Sequence, residues 1–283
     1  MEKASVKTAI KDRKREGNRK GKGTMSRPEQ LSLGEREEIL PLYRSSQETL
    51  IWSCLQGVMG EAWADDRKAP RCALICLRDF CYPAGDADAP GAAELLRILP
   101  ARRLFAVPES EAWAGLIERL YKDRCRRLDR YAIKKEPGIF DRETLWGFVR
   151  ALPPGFYLEE IGSRWYDSVM AEEWSRDFCS NFGSKEDFAG RGLGFLALRN
   201  GVPVSGASSY SVYRGGLEVE VVTRPDCRRQ GLAAACAARL VLKCLDRGLY
   251  PSWDAANQTS VRLSERLGYH FDRAYPTYEI LTT

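Results

Sequence analysis

The chain predicts an α/β (α+β) fold, a mixed sheet flanked by helices behind a mixed α/β N-terminal domain, and three features of the sequence carry that prediction. Asn200-Gly201 stands between two apolar runs, the strongest short signal for a β-hairpin. Two segments of helical periodicity end at Gly248 and Gly268, where a left-handed cap favours glycine, and a run of strand length precedes each. Leu152-Pro153-Pro154-Gly155 stops a helix and resets the backbone to extended geometry, so the chain divides there. With 283 residues two modest cores are expected, in the order tail 1–25, N-terminal domain 26–152 and C-terminal domain 153–283.

Residues 1–25 hold nine Lys/Arg, three acids and few apolar side chains, a composition expected to stay disordered. Met25, followed by Ser26-Arg27-Pro28, is a second candidate start, which would make the tail an over-extended reading frame; a functional polybasic arm is the competing reading. Residues 46–64 place Leu50, Ile51, Cys54, Leu55 and Val58 at helical spacing. Residues 73–80, between Pro70 and Pro83, suit a buried strand, and 92–99 and 109–126 read as helices. Trp52, Trp63 and Trp113 are expected as core anchors. Beyond the boundary, 156–161 reads as a strand and 165–190 as one or two helices. The hairpin 195–199 and 202–210 follows, then a strand at 217–223, a helix at 231–247, a strand at 250–253 and a helix at 257–267.

Composition removes several function classes. The net charge of +5 resides in the tail: residues 26–283 carry 35 Lys/Arg against 36 acids, so the folded part is close to neutral. Nucleic-acid binding, which needs several cationic phosphate contacts, is therefore unexpected except through the basic tail. The nine cysteines are odd in number and several sit in apolar runs, which reads as reduced thiols in a cytoplasmic protein without a metal site. His270 is the only histidine, so a hydrolase built on an imidazole base is disfavoured. No apolar run approaches the ~20 residues that span a bilayer, and the basic N-terminus lacks the apolar core of a secretory signal.

The chemistry concentrates in the strand 217–223, the loop Arg224-Pro-Asp-Cys-Arg-Arg-Gln-Gly-Leu-Ala233 and the Ala-rich helix after it. A strand that passes through an Arg/Gly loop into a helix N-terminus aims free backbone N–H groups and the positive end of the helix dipole at one point, an anion site. Gly231 allows close approach, Ala233 leaves room, and Arg228 and Arg229 add charge at the rim.

This segment resembles the pyrophosphate motif of the GCN5-related N-acetyltransferase (GNAT) superfamily, Arg/Gln-x-x-Gly-x-Gly/Ala, through Arg228, Gly231 and Ala233. The run from Tyr250 to Gly268-Tyr269 is similar to the superfamily's second block, which ends in Leu-Gly-Phe/Tyr. Tyr250-Pro-Ser-Trp-Asp-Ala-Ala-Asn257 and Ser205-Gly-Ala-Ser-Ser-Tyr210 resemble a bacterial two-domain branch. The close resemblance covers about residues 190–272, and the branch-level likeness most of 46–280. It implies a GNAT-type, mostly antiparallel sheet that binds acetyl-coenzyme A and transfers acetyl to a primary amine of a small-molecule or protein acceptor. The loop Arg228, Arg229, Gln230, Gly231, Leu232 and Ala233 would hold the pyrophosphate. The pantetheine arm would lie between splayed strands 217–223 and 250–253, bonded by backbone groups of Val221, Val222 and Thr223 and touched by Asn257. A plain helix N-cap is the other reading of Asn257, and both can hold.

Direct transfer needs a base for the amine proton and a donor for the departing thiolate. On the strand 217–222, Glu218 and Glu220 alternate with Leu217, Val219 and Val221. Superfamily members often carry their base on this strand, so Glu220 is the candidate base, with Glu218 and Asp254 as anchors for a cationic amine; a solvated face is the plainer alternative. The family's thiolate donor is a Tyr seven residues after the Asn of the second block, where this chain has Ser264; Tyr269 is a second candidate. That departure leaves a sensor that binds acyl-coenzyme A without turnover as the rival reading. A homodimer is compatible with either.

Overall fold

Residues 27–281 are described by the computed structural model; the expectations for the basic tail 1–25 fall outside them. In chain order the elements are β1 (Glu29–Gln30), α1 (Thr49–Leu55), β2 (Glu61–Ala64), β3 (Cys72–Leu77), β4 (Phe80–Gly85), α2 (Ala92–Arg97), β5 (Arg103–Ala106), α3 (Glu111–Tyr121), β6 (Cys125–Ile133) and α4 (Arg142–Arg150). Then come β7 (Phe156–Glu160), α5 (Ser163–Ala171), α6 (Lys185–Arg191), β8 (Gly194–Arg199), β9 (Val202–Tyr213), β10 (Gly216–Thr223), α7 (Leu232–Asp246), β11 (Tyr250–Ser252), β12 (Asp254–Ala255), α8 (Gln258–Arg266) and β13 (Phe271–Leu281).

The strands form two sheets, eight in the order β1-β2-β3-β4-β5-β13-β6-β12 and five in the order β11-β10-β9-β8-β7. Only β4 with β5 and β10 with β11 run parallel, so the fold is the expected mixed, mostly antiparallel one. The boundary at 152–153 falls in the turn between α4 and β7. The C-terminal strand β13 nevertheless lies in the sheet of the first half, between β5 and β6, and β12 extends the edge of β6.

The second sheet follows local chemistry. Asn200 (φ 53°) and Gly201 (φ 75°) both adopt the left-handed conformation of a tight hairpin turn joining β8 to β9. Helix α7 is buried along almost its whole length because its small Ala and Cys side chains let it lie close to the sheet. One hydrophobic core unites residues of both sheets, from Ile39 and Ile75 through Leu145 to Leu240 and Tyr269. A second core lies under α2 and α3 around Trp113 and Tyr278.

The first half differs from the sequence reading in three places. The helix expected over 46–64 ends at Leu55; Gly57 (φ 71°) and Gly60 (φ 86°) turn the chain into strand β2. The strand expected over 73–80 is part of a hairpin, β3 and β4, reversed at Arg78 (φ 51°). The helix expected over 109–126 ends at Tyr121, where Lys122 takes a left-handed φ of 49° and the chain leaves for β6.

Candidate active site

Strand β10 pairs with β11 only from Gly216 to Glu218, opposite Tyr250 to Ser252. Past Ser252 the chain swings to β6 as β12, so Val219 to Thr223 lose their neighbour on that side and a cleft opens. On its other side β10 keeps β9 as partner through Thr223, with a bulge that leaves Tyr210 extra between Ser209 and Ser211.

Two cavities meet along this open edge. The first, about 770 Å³, is lined by Val221, Val222 and Thr223, by the loop residues Arg228, Arg229, Gly231, Leu232 and Ala233, and by Asn257 and the α8 arginines Arg262 and Arg266. Gly231 (φ 80°) and Arg229 (φ 61°) hold the left-handed turn that starts α7. The first amide of α7 to find a carbonyl is that of Ala235, bonded to Gly231 at 3.1 Å, so the amides before it face the cleft without an intrahelical partner. No side chain caps this end and its first turn holds no acid. Unpaired amides, a helix dipole and four arginines make a cradle for a di- or polyphosphate. Of the expected loop residues, Gln230 alone does not line this cavity.

The second cavity, about 330 Å³, carries the opposite charge: Glu48, Asp79, Asp177, Glu218, Glu220 and Asp254 line it against the single cation Arg130. Val221, Asn257 and Ser260 border both cavities. Asn257 caps α8, its Oδ1 accepting from the Ser260 amide at 3.0 Å, and it borders the cleft as well.

The carboxylates differ in their surroundings. Glu218 is buried, and one of its oxygens accepts from the Thr49 hydroxyl. Burial pushes its pKa up to about 7, against the pull of Lys135 and the Thr49 bond. Glu220 is partly buried and also stands at about 7, raised by burial first and then by Asp177. Burial likewise raises Glu48 and Asp254. Asp254 is committed to structure: Oδ1 accepts from Arg130 Nε at 2.6 Å and Oδ2 from the Tyr275 hydroxyl at 2.7 Å. The solvated-face alternative therefore fails for Glu218. Val219 and Val221 border the acid cavity beside the two glutamates, so the simple alternation of faces does not hold at this strand end.

Ser264 and Tyr269 do not reach the cleft. Ser264 is fully buried and donates to the Val261 carbonyl at 2.8 Å; Tyr269 is buried and donates to the Pro251 carbonyl at 2.7 Å. Both belong to the packing of α8, which corrects the expectation that either serves as thiolate donor. The hydroxyl at the meeting point is that of Ser260, one helical turn earlier, which accepts from Trp253 Nε1 at 3.0 Å. Sequence reasoning also missed Glu48, Arg130 and Asp177, which arrive from distant segments; Tyr210 lay inside a quoted motif without a role. All nine cysteines are free thiols, and among the described residues no His/Cys/Asp/Glu cluster suits a metal and no helix is long and apolar enough to cross a membrane.

A cleft suited to a phosphate that opens onto an acid cavity through a split pair of parallel strands is the arrangement a group-transfer enzyme needs. The chain belongs to the GNAT acetyltransferase family, whose sequence profile matches residues 40–278. It is 26% identical over 246 residues to the uncharacterized N-acetyltransferase YdfB of Bacillus subtilis (strain 168), covering 81% of this chain and 89% of that one. A solved GCN5-related N-acetyltransferase-like protein from Streptococcus suis 89/1591 superposes with a TM-score of 0.83 at 44% identity, over 87% of this chain and 98% of that one. A GCN5-related N-acetyltransferase from Kribbella flavida shares the fold, with a TM-score of 0.53 at 21% identity over 74% of this chain and 86% of that one. The general chemistry of the family is acetyl transfer.

Proposed function

We propose that this protein is an acetyl-coenzyme A-dependent N-acetyltransferase that acetylates a primary amine by direct attack, without a covalent enzyme intermediate. The observation that carries the reading is the meeting of the arginine-rich cleft and the acid cavity at Val221, Asn257 and Ser260. The amides ahead of Ala235, with Arg228 and Arg229, would hold the pyrophosphate. Backbone groups of Val221 to Thr223, which lack a β11 partner, would take the pantetheine amides.

Glu220, next to Val221, accepts the proton of the attacking amine; its raised pKa suits a base that works near neutral pH. The amine nitrogen bonds to the thioester carbonyl carbon, the carbon–sulfur bond breaks, and the sulfur leaves with the electron pair. Ser260 replaces Ser264 as the group that donates a hydrogen bond to this sulfur. Its oxygen already accepts from Trp253, which polarises the hydroxyl toward donation. The acid cavity favours a cationic amine, and its volume of about 330 Å³ favours a small acceptor. Nine free thiols fit a reducing compartment such as the cytoplasm.

The test is release of free thiol from acetyl-coenzyme A across a panel of amines, with and without Glu220→Gln. Amine-dependent release that falls steeply in the variant supports the reading. Tight binding of the thioester with no release on any amine would favour the acyl-coenzyme A sensor instead.

A further inference from the structure

The carboxylates of the acid cavity are unequal in what they still lack. Both oxygens of Asp254 are engaged. Glu218, 7% exposed, gives one oxygen to Thr49 and keeps the other, Oε1, buried without a hydrogen-bond partner among the described residues. Tyr210, which the bulge in β9 leaves extra, lines the same cavity, its buried hydroxyl beside the Asp79 backbone. A buried polar atom left bare costs on the order of 1–3 kcal/mol. A carboxylate oxygen left bare in a cavity wall marks a place where a ligand supplies the missing bond.

The charges around Glu218 point to the kind of ligand. Glu48 faces the same space from the first half of the chain; its neighbour Thr49 bonds Glu218, and the Glu218 charge is felt at Glu48. The cations within reach are Arg130, paired to Asp254, and Lys135, whose ammonium lies 5.7 Å from the Trp52 ring centroid and whose charge acts on both Glu218 and Glu48. Along β10, Glu218 and Glu220 are two residues apart, about 7 Å on an extended strand. Glu220 is beside Val221 at the junction with the cleft, and Glu218 lies one strand repeat farther from it.

Resting on the acetyl-transfer reading, we infer that the acceptor carries a second ammonium group, held by Glu218 and Glu48 while the reacting nitrogen lies at Glu220: a short aliphatic diamine or the end of a polyamine. A spacer of roughly four to five carbons matches the separation of the two glutamates. Oε1 of Glu218 then receives an N–H donor, which a monoamine cannot provide while its nitrogen is at Glu220. Glu48 and Tyr82 also border an adjoining cavity of about 390 Å³, which leaves room for the remainder of a longer polyamine. Acceptor choice is thus shared between β10 and the first half of the chain.

Calorimetric titration of the full chain saturated with coenzyme A, which cannot turn over, compares diaminobutane with butylamine. Diaminobutane should bind at least ~10-fold more tightly, and Glu218→Gln should reduce that ratio to less than ~3-fold, since charge-assisted bonds are the strong ones. Glu48→Gln provides the same comparison if the first variant fails to fold. Equal affinities, no measurable binding of either amine, or a preference unchanged in the variants overturns the proposal. Thiol release reports separately on acetyl transfer: a diamine preference without release on any amine would remove the reaction and leave the ammonium site standing.

Discussion

Trp253 donates its indole N–H to the hydroxyl of Ser260 at 3.0 Å, and this bond sets the serine proton free to point where both cavities meet. Replacement of Ser260 by Ala should lower kcat by roughly 10- to 100-fold and leave KM for acetyl-coenzyme A within ~3-fold, the pattern of a donor that acts on developing charge. Ser260→Thr should recover part of the loss. Ser264→Ala, in contrast, should leave kcat unchanged and shift stability by no more than about 1 kcal/mol. Steady-state kinetics on the three variants decides between the two serines, and equal losses at both positions would reject the assignment.

Glu220 should set the pH profile. With a pKa of about 7, kcat/KM should climb about tenfold per pH unit below that value and level off above it. In Glu220→Gln the rate should fall by roughly 100-fold and the break near neutrality should vanish. A profile unchanged in the variant would assign the titration to another group.

Glu218 should couple stability to pH in the direction opposite to a salt-bridged acid. Its pKa rises from an ordinary 4.5 to about 7 on folding, because burial penalises the charge. The folded state then holds a proton that the unfolded chain releases, so stability is highest below about pH 4.5 as far as this group is concerned. It declines between 4.5 and about 7. The loss amounts to about 3 kcal/mol at most. Glu218→Gln should therefore raise Tm at pH 8 relative to the parent and make little difference near pH 4. Denaturant titrations at the two pH values measure this, and destabilisation of the variant at pH 8 would contradict it.

The cradle can be tested at Gly231. An added Cβ there meets no atom within 4 Å, but the φ of 80° is strained for any side chain. Gly231→Ala should cost roughly 1–2 kcal/mol of stability, and if the turn shifts to relieve that strain, the affinity for coenzyme A should drop as well. Thermal shift with and without coenzyme A separates the two effects.

The parts of this fold and site that are written in short stretches of sequence were legible. Asn200-Gly201, the loop from Arg228 to Ala233, and the caps at Gly248, Asn257 and Gly268 each fix a backbone conformation within a few residues, and each lies where that chemistry places it. Strands β6 and β13 were not legible, because Cys125-Arg-Arg-Leu-Asp-Arg-Tyr-Ala-Ile133 is rich in charge without a buried stripe and pairs with residues 138 to 155 positions away. The acid cavity was legible along β10 and at Asp254 of β12. Glu48, Asp79 and Arg130 are unremarkable as sequence, and only tertiary packing, of α1 for Glu48 and of paired strands for Arg130, brings them to Glu218 and Glu220. Ser264 shows the reverse error: the family's spacing points to a position that packing has turned inward.

Strand β13 fills the gap between β5 and β6, so neither portion of the chain can be isolated by cutting at the Pro-Pro turn. A fragment ending near residue 150 would leave two bare strand edges facing each other across an empty slot, an invitation to aggregate. The remaining fragment would carry a homeless strand. Expression of the two pieces together, or a circular permutant that feeds residues 271–281 directly into the slot, would respect the way this molecule is laced.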